Sequence, residues 1–560
     1  MNYKQEIAKL IDNPLITAED ITPIADNRMG DFALPCFKPA KEMRKNPMAV
    51  AEELAGKVNA SIGGNVIFLS KVEAVSGYLN FFINPAFYFK NTLDALQKKS
   101  KDVSGIGKGK TVCIDYSSIN IAKPLHIGHL MTTVIGGSLY RIYKRLGYKV
   151  VGINHLGDYG TQFGKLISAF LKWGDESELR KNGIRSLVDL YVRFHNEAER
   201  NHALNDEARA WFVKIEKGEE EANRIYKLFK DVTLAEISKT YKLLGVEFDS
   251  YDGESFFSDK MAPVVEELEA KGLLISSEGA KVVDLKAYGM PPCLILKKDG
   301  SSLYATRDLA AALYRKQTYD FDKCLYVVAY QQNLHFKQVF KVLELMGREY
   351  NVVHVPFGMV SLKDVGKLTT RGGNVVYLSD VLNAAIKKAG GIIKEKNPGL
   401  ERTSVPEEVG VGAVIFYALA TSRIKDVIYS EEAALSFEGE TGPYAQYTHA
   451  RCCSVIRKGI GHREQEIDYT AVADEEALTV IRLLDIYHET IITAAEKYEP
   501  SILAKYLIDL AQAYNKFYFE RKIIGEDSGK SAGRLALTQA VRDVLKEGLD
   551  LLLIKTPEKM

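Results

Sequence analysis

Two histidines three residues apart, His126 and His129, close a run that begins at Ser117. A short β-rich run precedes them and a long helical pattern follows, and open α/β sheets bind nucleotides where a strand leads into a helix. Backbone N–H groups and the positive end of the helix dipole meet there. Gly128 lies between the histidines and has no Cβ to keep a flat ring away from the backbone. The pattern predicts a site for adenine and a triphosphate, with two core or capping histidines as the alternative.

The composition is that of a globular protein with balanced charge. The 560 residues include 46% hydrophobic and 26% charged residues, and at this length about three or four domains are expected. Since Lys plus Arg number 74 against 73 acids, a nucleic-acid partner has to be held by local basic patches. Six cysteines without a C-x-x-C spacing predict neither a zinc site nor a disulfide framework. With no signal-peptide pattern and no apolar run of roughly 20 residues, we expect a soluble, cytoplasmic protein.

The chain divides by pattern into three segments. Residues 1–105 predict a small α/β module, which ends in a linker rich in Gly and Lys. Residues 106–434 alternate strands and helices, which is typical of a parallel sheet, and carry a charged helical insertion at about 175–290. Residues 435–560 are all-helical in pattern. The sequence therefore predicts an α/β fold with a helical carboxy-terminal domain.

Several elements follow from the pattern in more detail. A helix is expected from Pro124, which a first helical turn tolerates, to about Gly147, which suits a C-cap. Strands are expected at Val66–Leu69 and, as the first arm of a hairpin, at Leu294–Leu296. Another helix is expected to start near Thr306.

Ordered motifs resemble one enzyme family along the whole chain. The runs Asp115–His129 and Ile153–Gly164 resemble class I aminoacyl-tRNA synthetases, and more narrowly arginyl-tRNA synthetases. Further runs are similar to that family, namely Tyr304–Asp308, Gln331–His335, Gly442–Arg451, Ala513–Tyr518 and Pro557–Met560. The resemblance implies an arginine–tRNA ligase that makes arginyl-adenylate from arginine and ATP and then esterifies the 3′ end of tRNA(Arg). It also implies a Rossmann-like catalytic domain, a small amino-terminal domain that contacts the corner of the tRNA and a helical anticodon-binding domain.

The implied ATP site combines two signature segments. Adenylation requires mainly positioning and charge neutralisation. The resemblance assigns this work to Lys123, His126, Gly128, His129 and His335, although His335 is equally compatible with a core histidine. We expect Mg²⁺ to come with the ATP phosphates, and no structural metal.

The second signature loop, Lys367–Asn374, is poor in cations. Lys367 matches the first lysine of the family's loop and Thr369 keeps a hydroxyl, but Thr370 stands at the second lysine. Either Arg371 or Lys123 is expected to replace the missing charge, although a guanidinium is not a geometric substitute for an ammonium. A glycine-rich surface turn without a catalytic part is the alternative.

Arginine recognition requires carboxylates, because a guanidinium offers donors only. The resemblance assigns the guanidinium to Asp115 and Asp308, its packing partner to Tyr304, and the other end of arginine to Asn120, with Gln332 lining the pocket. The alternatives are an ordinary strand-end acid for Asp115, and for Asp308 an N-cap or an ion pair with the neighbouring Arg307.

Clusters of aromatic and donor side chains on the carboxy-terminal helices are assigned by resemblance to tRNA. Unpaired anticodon bases require stacking and edge recognition. The residues are Tyr444, Gln446, Tyr447, His449, Arg451, Tyr514, Asn515 and Phe517. Helix packing is an equally good explanation of either cluster alone. No heptad seam or sustained apolar edge demands a partner subunit, so we expect a monomer.

Two other functions compete with the aminoacylation of tRNA. A class I-like ligase that passes an activated amino acid to a small amine or sugar is one, and the long helical tail argues against it. A non-catalytic RNA-binding paralogue is the other, and only the cation-poor second loop favours it.

Overall fold

A computed structural model describes residues 1–24, 27–97, 102–301, 303–362, 376–462 and 465–560. The chain divides into two units, each built from three separate stretches. The first unit comprises residues 1–102, 451–487 and 509–544. The second comprises residues 103–450, 488–508 and 545–560.

The amino-terminal stretch forms an antiparallel sheet of order β1-β2-β4-β3 with flanking helices. Its elements are α1 Tyr3–Ile11, β1 Thr22–Pro23, β2 Phe32–Pro35, α2 Phe37–Met43, α3 Pro47–Asn59, β3 Leu69–Val75, β4 Tyr78–Ile83 and α4 Pro85–Gln97. Helix α3 begins where Asn46 accepts the N–H of Met48 and Pro47 opens the first turn. The strand expected at Val66–Leu69 begins only at Leu69.

The second unit opens with two parallel strands and the helix that connects them. These elements are β5 Thr111–Asp115, α5 Leu130–Arg145 and β6 Lys149–Ile153, followed by α6 Thr161–Trp173. The prediction that the α5 helix starts at Pro124 is wrong. Residues Leu125–Ile127 instead bond to residues Val376–Leu378, through Leu378 N to Leu125 O at 2.9 Å and Ile127 N to Val376 O at 3.3 Å. Because that backbone is used in pairing, the helix starts after a single 3₁₀ turn, Ile127–His129.

Helices and a small antiparallel sheet are inserted after α6. They are α7 Glu176–Asn182, α8 Ile184–Arg200, α9 Ala203–Glu216, α10 Glu220–Leu244, α11 Met261–Ala270, β7 Leu274–Ser277, β8 Ala280–Val283 and β9 Cys293–Leu296. Strand β9 pairs with β8 before it. The turn expected after it forms, with Lys297 N donating to Ser301 O at 2.9 Å, but among the described residues a helix and not the second arm of the hairpin follows.

The chain then completes the parallel sheet. The elements are α12 Tyr304–Tyr319, β10 Lys323–Tyr326, α13 Asn333–Leu345, β11 Val352–His354, β12 Val360–Leu362, α14 Leu378–Lys396, α15 Val405–Leu419 and β13 Val427–Tyr429. All pairs in the order β11-β10-β5-β6 are parallel, which confirms the predicted sheet. Asp115 is in register with Tyr326 on one side and Ile153 on the other. The carboxyl ends of β5, β6 and β10 therefore meet at one edge.

The remaining described elements are helices, as predicted. They are α16 Glu431–Ala434, α17 Gly442–Lys458, α18 Tyr469–Val472, α19 Glu475–Asp485, α20 Tyr487–Glu496, α21 Ser501–Glu520 and α22 Ser528–Leu551. None of the helices found in the described parts of the chain has the length and apolar character that crossing a bilayer requires.

Close packing of α6 on α9 yields a stability prediction. A Cβ at Gly164 in α6 would lie 1.9 Å from the carbonyl oxygen of Ala208 in α9, so Gly164→Ala forces backbone apart. We expect it to destabilise the protein by about 1–3 kcal/mol. Gly391→Ala in α14 is the matched control, because its Cβ meets nothing within 4 Å. The control should stabilise by up to about 1 kcal/mol, since alanine is the better helix former. Thermal unfolding followed by circular dichroism checks both; equal midpoints would contradict the packing argument.

Candidate active site

The turn after β5 holds three L-residues in the left-handed region. Ser117, Ser118 and Ala122 have φ values of 69°, 44° and 61°. Such conformations cost free energy and persist only where surrounding bonds fix them. Here the N–H of Ser117 donates to Thr132 Oγ1 at 3.0 Å, and the N–H of Ala122 donates to Thr233 Oγ1 at 3.1 Å. The turn leaves Asn120 exposed.

Backbone amides fix the tautomers of the two histidines. Gly128 N–H donates to His126 Nδ1 at 3.0 Å, and His126 N–H donates to His129 Nδ1 at 3.2 Å. A neutral imidazole that accepts at Nδ1 carries its proton on Nε2. Burial, with the adjacent His126, lowers the pKa of His129 to about 3, and burial and Lys123 lower the pKa of His126. Both rings, 3.9 Å apart between centroids, therefore offer neutral Nε2–H donors near pH 7.

Gly128 is required by the ring of His126 itself. A Cβ at this position would lie 2.8 Å from His126 Cε1 and 2.9 Å from its Nδ1. The sequence predicted that the missing Cβ lets a flat ring approach the backbone. In the structure, a flat ring that approaches this backbone is the imidazole of His126. Its Nδ1 can accept from the Gly128 amide only because it comes so close.

The described residues on either side of the cation-poor loop contact the turn that holds the histidines. Residues 363–375 lie outside the described residues, and with them the predicted Lys367, Thr369 and Arg371. Before the loop, β12 packs against the Ile127–His129 turn, and after it Val376 accepts the bond from Ile127. Lys123 is exposed, and its charge contributes to lowering the pKa of both imidazoles.

Asp308 lies in the second turn of α12 and contacts His335. Its Oδ2 is 2.5 Å from His335 Nε2, and each side chain is 25% exposed. The N-cap alternative is wrong because the helix starts at Tyr304. The alternative pairing with Arg307 is wrong too, because Arg307 pairs with Glu254 at 3.2 Å. Tyr304 is 68% exposed, and the ATP-binding role of His335 remains a prediction.

Asp115 is already engaged by two side chains of the chain. Its Oδ2 is 2.8 Å from Arg315, and its Oδ1 accepts from Ser118 Oγ at 2.7 Å. Nearby, Asn120 pairs with Gly157, where a Cβ would fall 2.1 Å from Asn120 Oδ1. The direct binding of substrate by Asp115 and Asn120 stays a prediction, as does that of the exposed Gln332 that precedes α13.

The sequence reasoning missed an ionic cluster around these acids. Burial first and Arg315 second lower the pKa of His155, while Asp115, Asp308 and Asp158 act against them. All three carboxylates are thus close enough to His155 to influence its charge. Asp158 pairs with Lys230 at 2.9 Å. His155 and Asp158 follow β6 at the edge where Asp115 ends β5. Knowing that β5 and β6 are parallel neighbours would have been enough to predict that these residues lie at one edge.

Glu254 and Arg307 form a second missed pair. Burial raises the pKa of Glu254 to about 7, with Arg307 opposing the rise and Asp308 adding to it. The Arg307 guanidinium lies 4.9 Å from the centroid of Tyr159 and 5.8 Å from that of Tyr304. The edge therefore combines acids, their cationic partners and exposed aromatic surface.

Family models match three stretches of the chain. A model of the class I tRNA synthetase (R) catalytic domain matches residues 92–431, a DALR anticodon-binding domain matches 445–560, and an arginyl-tRNA synthetase N-terminal domain matches 2–83. The chain belongs to the arginyl-tRNA synthetases. An arginine–tRNA ligase of Clostridioides difficile is 51% identical over 564 residues, covering 100% of this chain and 96% of that protein. One of Halothermothrix orenii is 50% identical and covers 100% of both.

Solved arginyl-tRNA synthetases share the fold. The enzyme of Thermus thermophilus superposes with a TM-score of 0.80 at 24% identity, covering 100% of this chain and 98% of that one. The enzyme of Plasmodium falciparum superposes with a TM-score of 0.76 at 22% identity, covering 100% of this chain and 99% of that one. The class I catalytic fold, the small amino-terminal domain and the helical anticodon domain of the synthetase family are thereby confirmed.

The predicted tRNA residues of this synthetase differ in exposure. Gln446 and His449 are buried on α17, where Gln446 Nε2 donates to Lys555 O at 2.7 Å and His449 Nδ1 lies 3.1 Å from Pro557 O. Tyr514 and Phe517 are fully buried on α21. Burial favours helix packing for these four, the alternative that the sequence left open. Their role in binding tRNA stays a prediction.

Other side chains of these helices do reach the surface. Tyr447 is exposed and Tyr444 is half-buried. Arg451 donates to Asn515 and lies 5.0 Å from the ring centroid of Tyr518. Phe519 follows Tyr518 in the chain, and the sequence analysis did not include it among the tRNA-binding candidates. It is 89% exposed, the exposure that base stacking requires.

Gly128→Ala tests the tautomer argument. Its Cβ would displace the His126 ring from the Gly128 amide, so we expect adenylate formation to slow by about 100-fold, the effect of losing one preorganised donor. Thermal stability should change little, because the turn is partly exposed. Single-turnover formation of arginyl-adenylate in the presence of tRNA measures the rate. Parental kinetics in the variant would refute the requirement for glycine.

Proposed function

We propose that this chain activates L-arginine with ATP and transfers the arginyl group to the 3′ end of tRNA(Arg). The observation that carries this proposal is the meeting of two opposite-charge sites at one sheet edge. Asp115 ends β5, and Asp308 and Asp158 join it in influencing the charge of His155; these are acids that suit a guanidinium. Thr132 of α5 bonds to Ser117 after β5 and to Val327 after β10, so the neutral Nε2–H donors that open α5 lie at this edge too, where with Lys123 they suit a polyphosphate.

In the first step, Asp308 accepts the substrate guanidinium. An ionised carboxylate has about four lone-pair sites, so it can bind a guanidinium while keeping its contact with His335. The exposed Tyr304 packs on the side chain, Gln332 lines the pocket, and Asn120 holds the α-amino or carboxyl end. These roles rest on the placement of Tyr304 and Asp308 one helical turn apart on α12.

The substrate carboxylate then attacks the α-phosphorus of ATP. A carbon–oxygen–phosphorus anhydride forms and the bond to pyrophosphate breaks. His126 and His129 donate through Nε2–H to the phosphate oxygens, and Lys123 supplies the charge that the second loop lacks. The described residues contain no group of three or more His, Cys, Asp or Glu side chains that is able to hold a metal ion. We infer that Mg²⁺ enters with the ATP substrate, because this ion is usually bound through substrate phosphates and one or two carboxylates.

In the second step, a ribose hydroxyl at the 3′ end of tRNA attacks the arginyl carbonyl and AMP leaves. We assign tRNA contacts to residues 1–105 at its corner, catalysis to residues 106–434 and anticodon contacts to residues 435–560. We infer that the protein is a cytoplasmic monomer. All six cysteines are free thiols, as a reducing compartment favours.

Asp308→Asn tests arginine recognition. Removing the charge should lower kcat/KM for arginine by about 100-fold, since an unpaired guanidinium is then left in the pocket. Asp320→Asn, at the exposed C-cap of the same helix, is the matched control and should behave as the parent. The assay is aminoacylation of total tRNA with each amino acid in turn. Charging with an amino acid other than arginine, or an unaffected Asp308→Asn, would overturn the assignment.

Phe519→Ala tests the stacking surface on α21. Loss of one aromatic–base contact is expected to weaken tRNA binding by about 1–3 kcal/mol while leaving KM for ATP unchanged. Ile460→Ala, another exposed apolar side chain of the first unit, serves as the control. Filter binding with tRNA(Arg) transcript measures the difference. Equal affinity of the two variants would remove Phe519 from the interface.

A further inference from the structure

Arg315 is a buried cation that neither the predicted catalytic residues nor the tRNA residues include. Its side chain is 3% exposed and that of Asp115 is 8% exposed, and their charged atoms are 2.8 Å apart. Burial lowers the pKa of Arg315, but Asp115 and Tyr326 raise it well above the ordinary value, so it stays charged. When one partner of such a buried pair is removed, the charge of the other stays buried without compensation, which is strongly destabilising.

The position of Arg315 joins two parts of the site. It lies seven residues after Asp308 on α12, so both side chains project from one helix face about 10 Å apart. The same helix thus presents an acid to the substrate and a guanidinium to the end of β5. Helix α12 and the β5 edge are fixed to each other by this pair.

Asp115 also contacts the left-handed turn, so the pair with Arg315 restrains that turn. Its second oxygen, Oδ1, accepts from Ser118 Oγ at 2.7 Å. Ser117 and Ser118 have φ values of 69° and 44°, conformations that need external support. The turn leads directly to Asn120. An unbroken chain of contacts therefore runs from α12 through Arg315, Asp115 and Ser118 to the turn that places Asn120.

The histidine half of the site has different supports. Ala122 N–H bonds to Thr233 Oγ1 of α10 at 3.1 Å, and Ile127 N–H bonds to Val376 O at 3.3 Å. Neither bond involves Arg315 or Asp115. The supports of the histidines thus include contacts in which Arg315, Asp115 and Ser118 take no part, although Ser117 also bonds to Thr132 and Thr133 of α5.

We propose that Arg315 is a positioning residue for the arginine half of the site, acting through Asp115 and Ser118 on Asn120. Asp115 is the central link of this chain, because Arg315 contacts its Oδ2 and Ser118 donates to its Oδ1. This inference rests on the proposed activation of arginine.

The test compares KM values for arginine and ATP in aminoacylation with saturating tRNA. Arg315→Lys keeps the positive charge but loses the planar guanidinium group. Ser118→Ala removes the hydroxyl that donates to Asp115 and leaves the charge of the protein unchanged. Both should raise KM for arginine about fivefold or more, because small misplacements of binding groups are costly, and leave KM for ATP within about twofold. The double variant should show less than the sum of the two single effects, since both break one chain of contacts.

Two further variants separate positioning from general damage. Thr233→Val removes the bond to the Ala122 N–H, which lies next to Lys123 and outside the chain from Arg315 to Ser118, and it should raise KM for ATP at least as much as KM for arginine. Arg423→Lys perturbs a partly buried arginine that bonds to Tyr498 O at 2.9 Å, in the same unit but outside the site, and should change neither KM. Thermal unfolding midpoints are measured for every variant. A rise in both KM values that follows the fall in midpoint contradicts the inference.

The outcomes also distinguish this inference from the proposed function. If the parent protein does not charge tRNA with arginine, the proposed function fails. If it does, but Arg315→Lys and Ser118→Ala leave KM for arginine at the parental value, only the positioning role fails. Should Arg315→Lys not fold, Ser118→Ala decides alone, because it removes a single hydroxyl. An Asp115→Asn variant as damaging as Asp308→Asn, with Ser118→Ala unaffected, would show that Asp115 acts independently of this chain of contacts and would overturn the positioning role.

Discussion

The parallel register of β10, β5 and β6 is the constraint on which the site depends. Because all these strands run in one direction, each ends at the same edge, and whatever follows each strand is brought together there. Asp115 ends β5, and His155 and Asp158 follow β6. Helix α12 adds Asp308 and Arg315 from one face. An antiparallel arrangement would have divided these side chains between two edges.

Charge pairing makes such a concentration of acids tolerable. Four carboxylates near the pocket each have a basic partner: Asp115 with Arg315, Asp158 with Lys230, Glu254 with Arg307, and Asp308 with His335. These partners differ in kind. Arg315 holds a buried acid in place, whereas His335 lies against an acid that is still 25% exposed and therefore open to a substrate. The acids at this edge thus differ in how far they are open to solvent.

The two histidines show how local backbone geometry supplies chemistry. Each Nδ1 is occupied by an amide two or three residues away in the chain, so the proton is forced onto Nε2. Burial keeps both rings neutral, and neutral donors suit phosphate oxygens without adding cations next to Lys123. Glycine between them is a steric necessity of the His126–amide contact.

The sequence by itself determined the fold class, the family and the identity of the signature residues, because periodicity and ordered motifs are local properties of the chain. It also placed the parallel sheet and the helical tail. It misplaced the start of α5, since the pairing of Leu125–Ile127 with Val376–Leu378 joins segments about 250 residues apart. It assigned aromatics such as Tyr514 and Phe517 to tRNA, although helical spacing alone cannot tell a buried face from an exposed one. Only the tertiary structure decided that Asp115 is held by Arg315, that Asp308 meets His335 and that Phe519 faces solvent, because each depends on which distant segment packs against it.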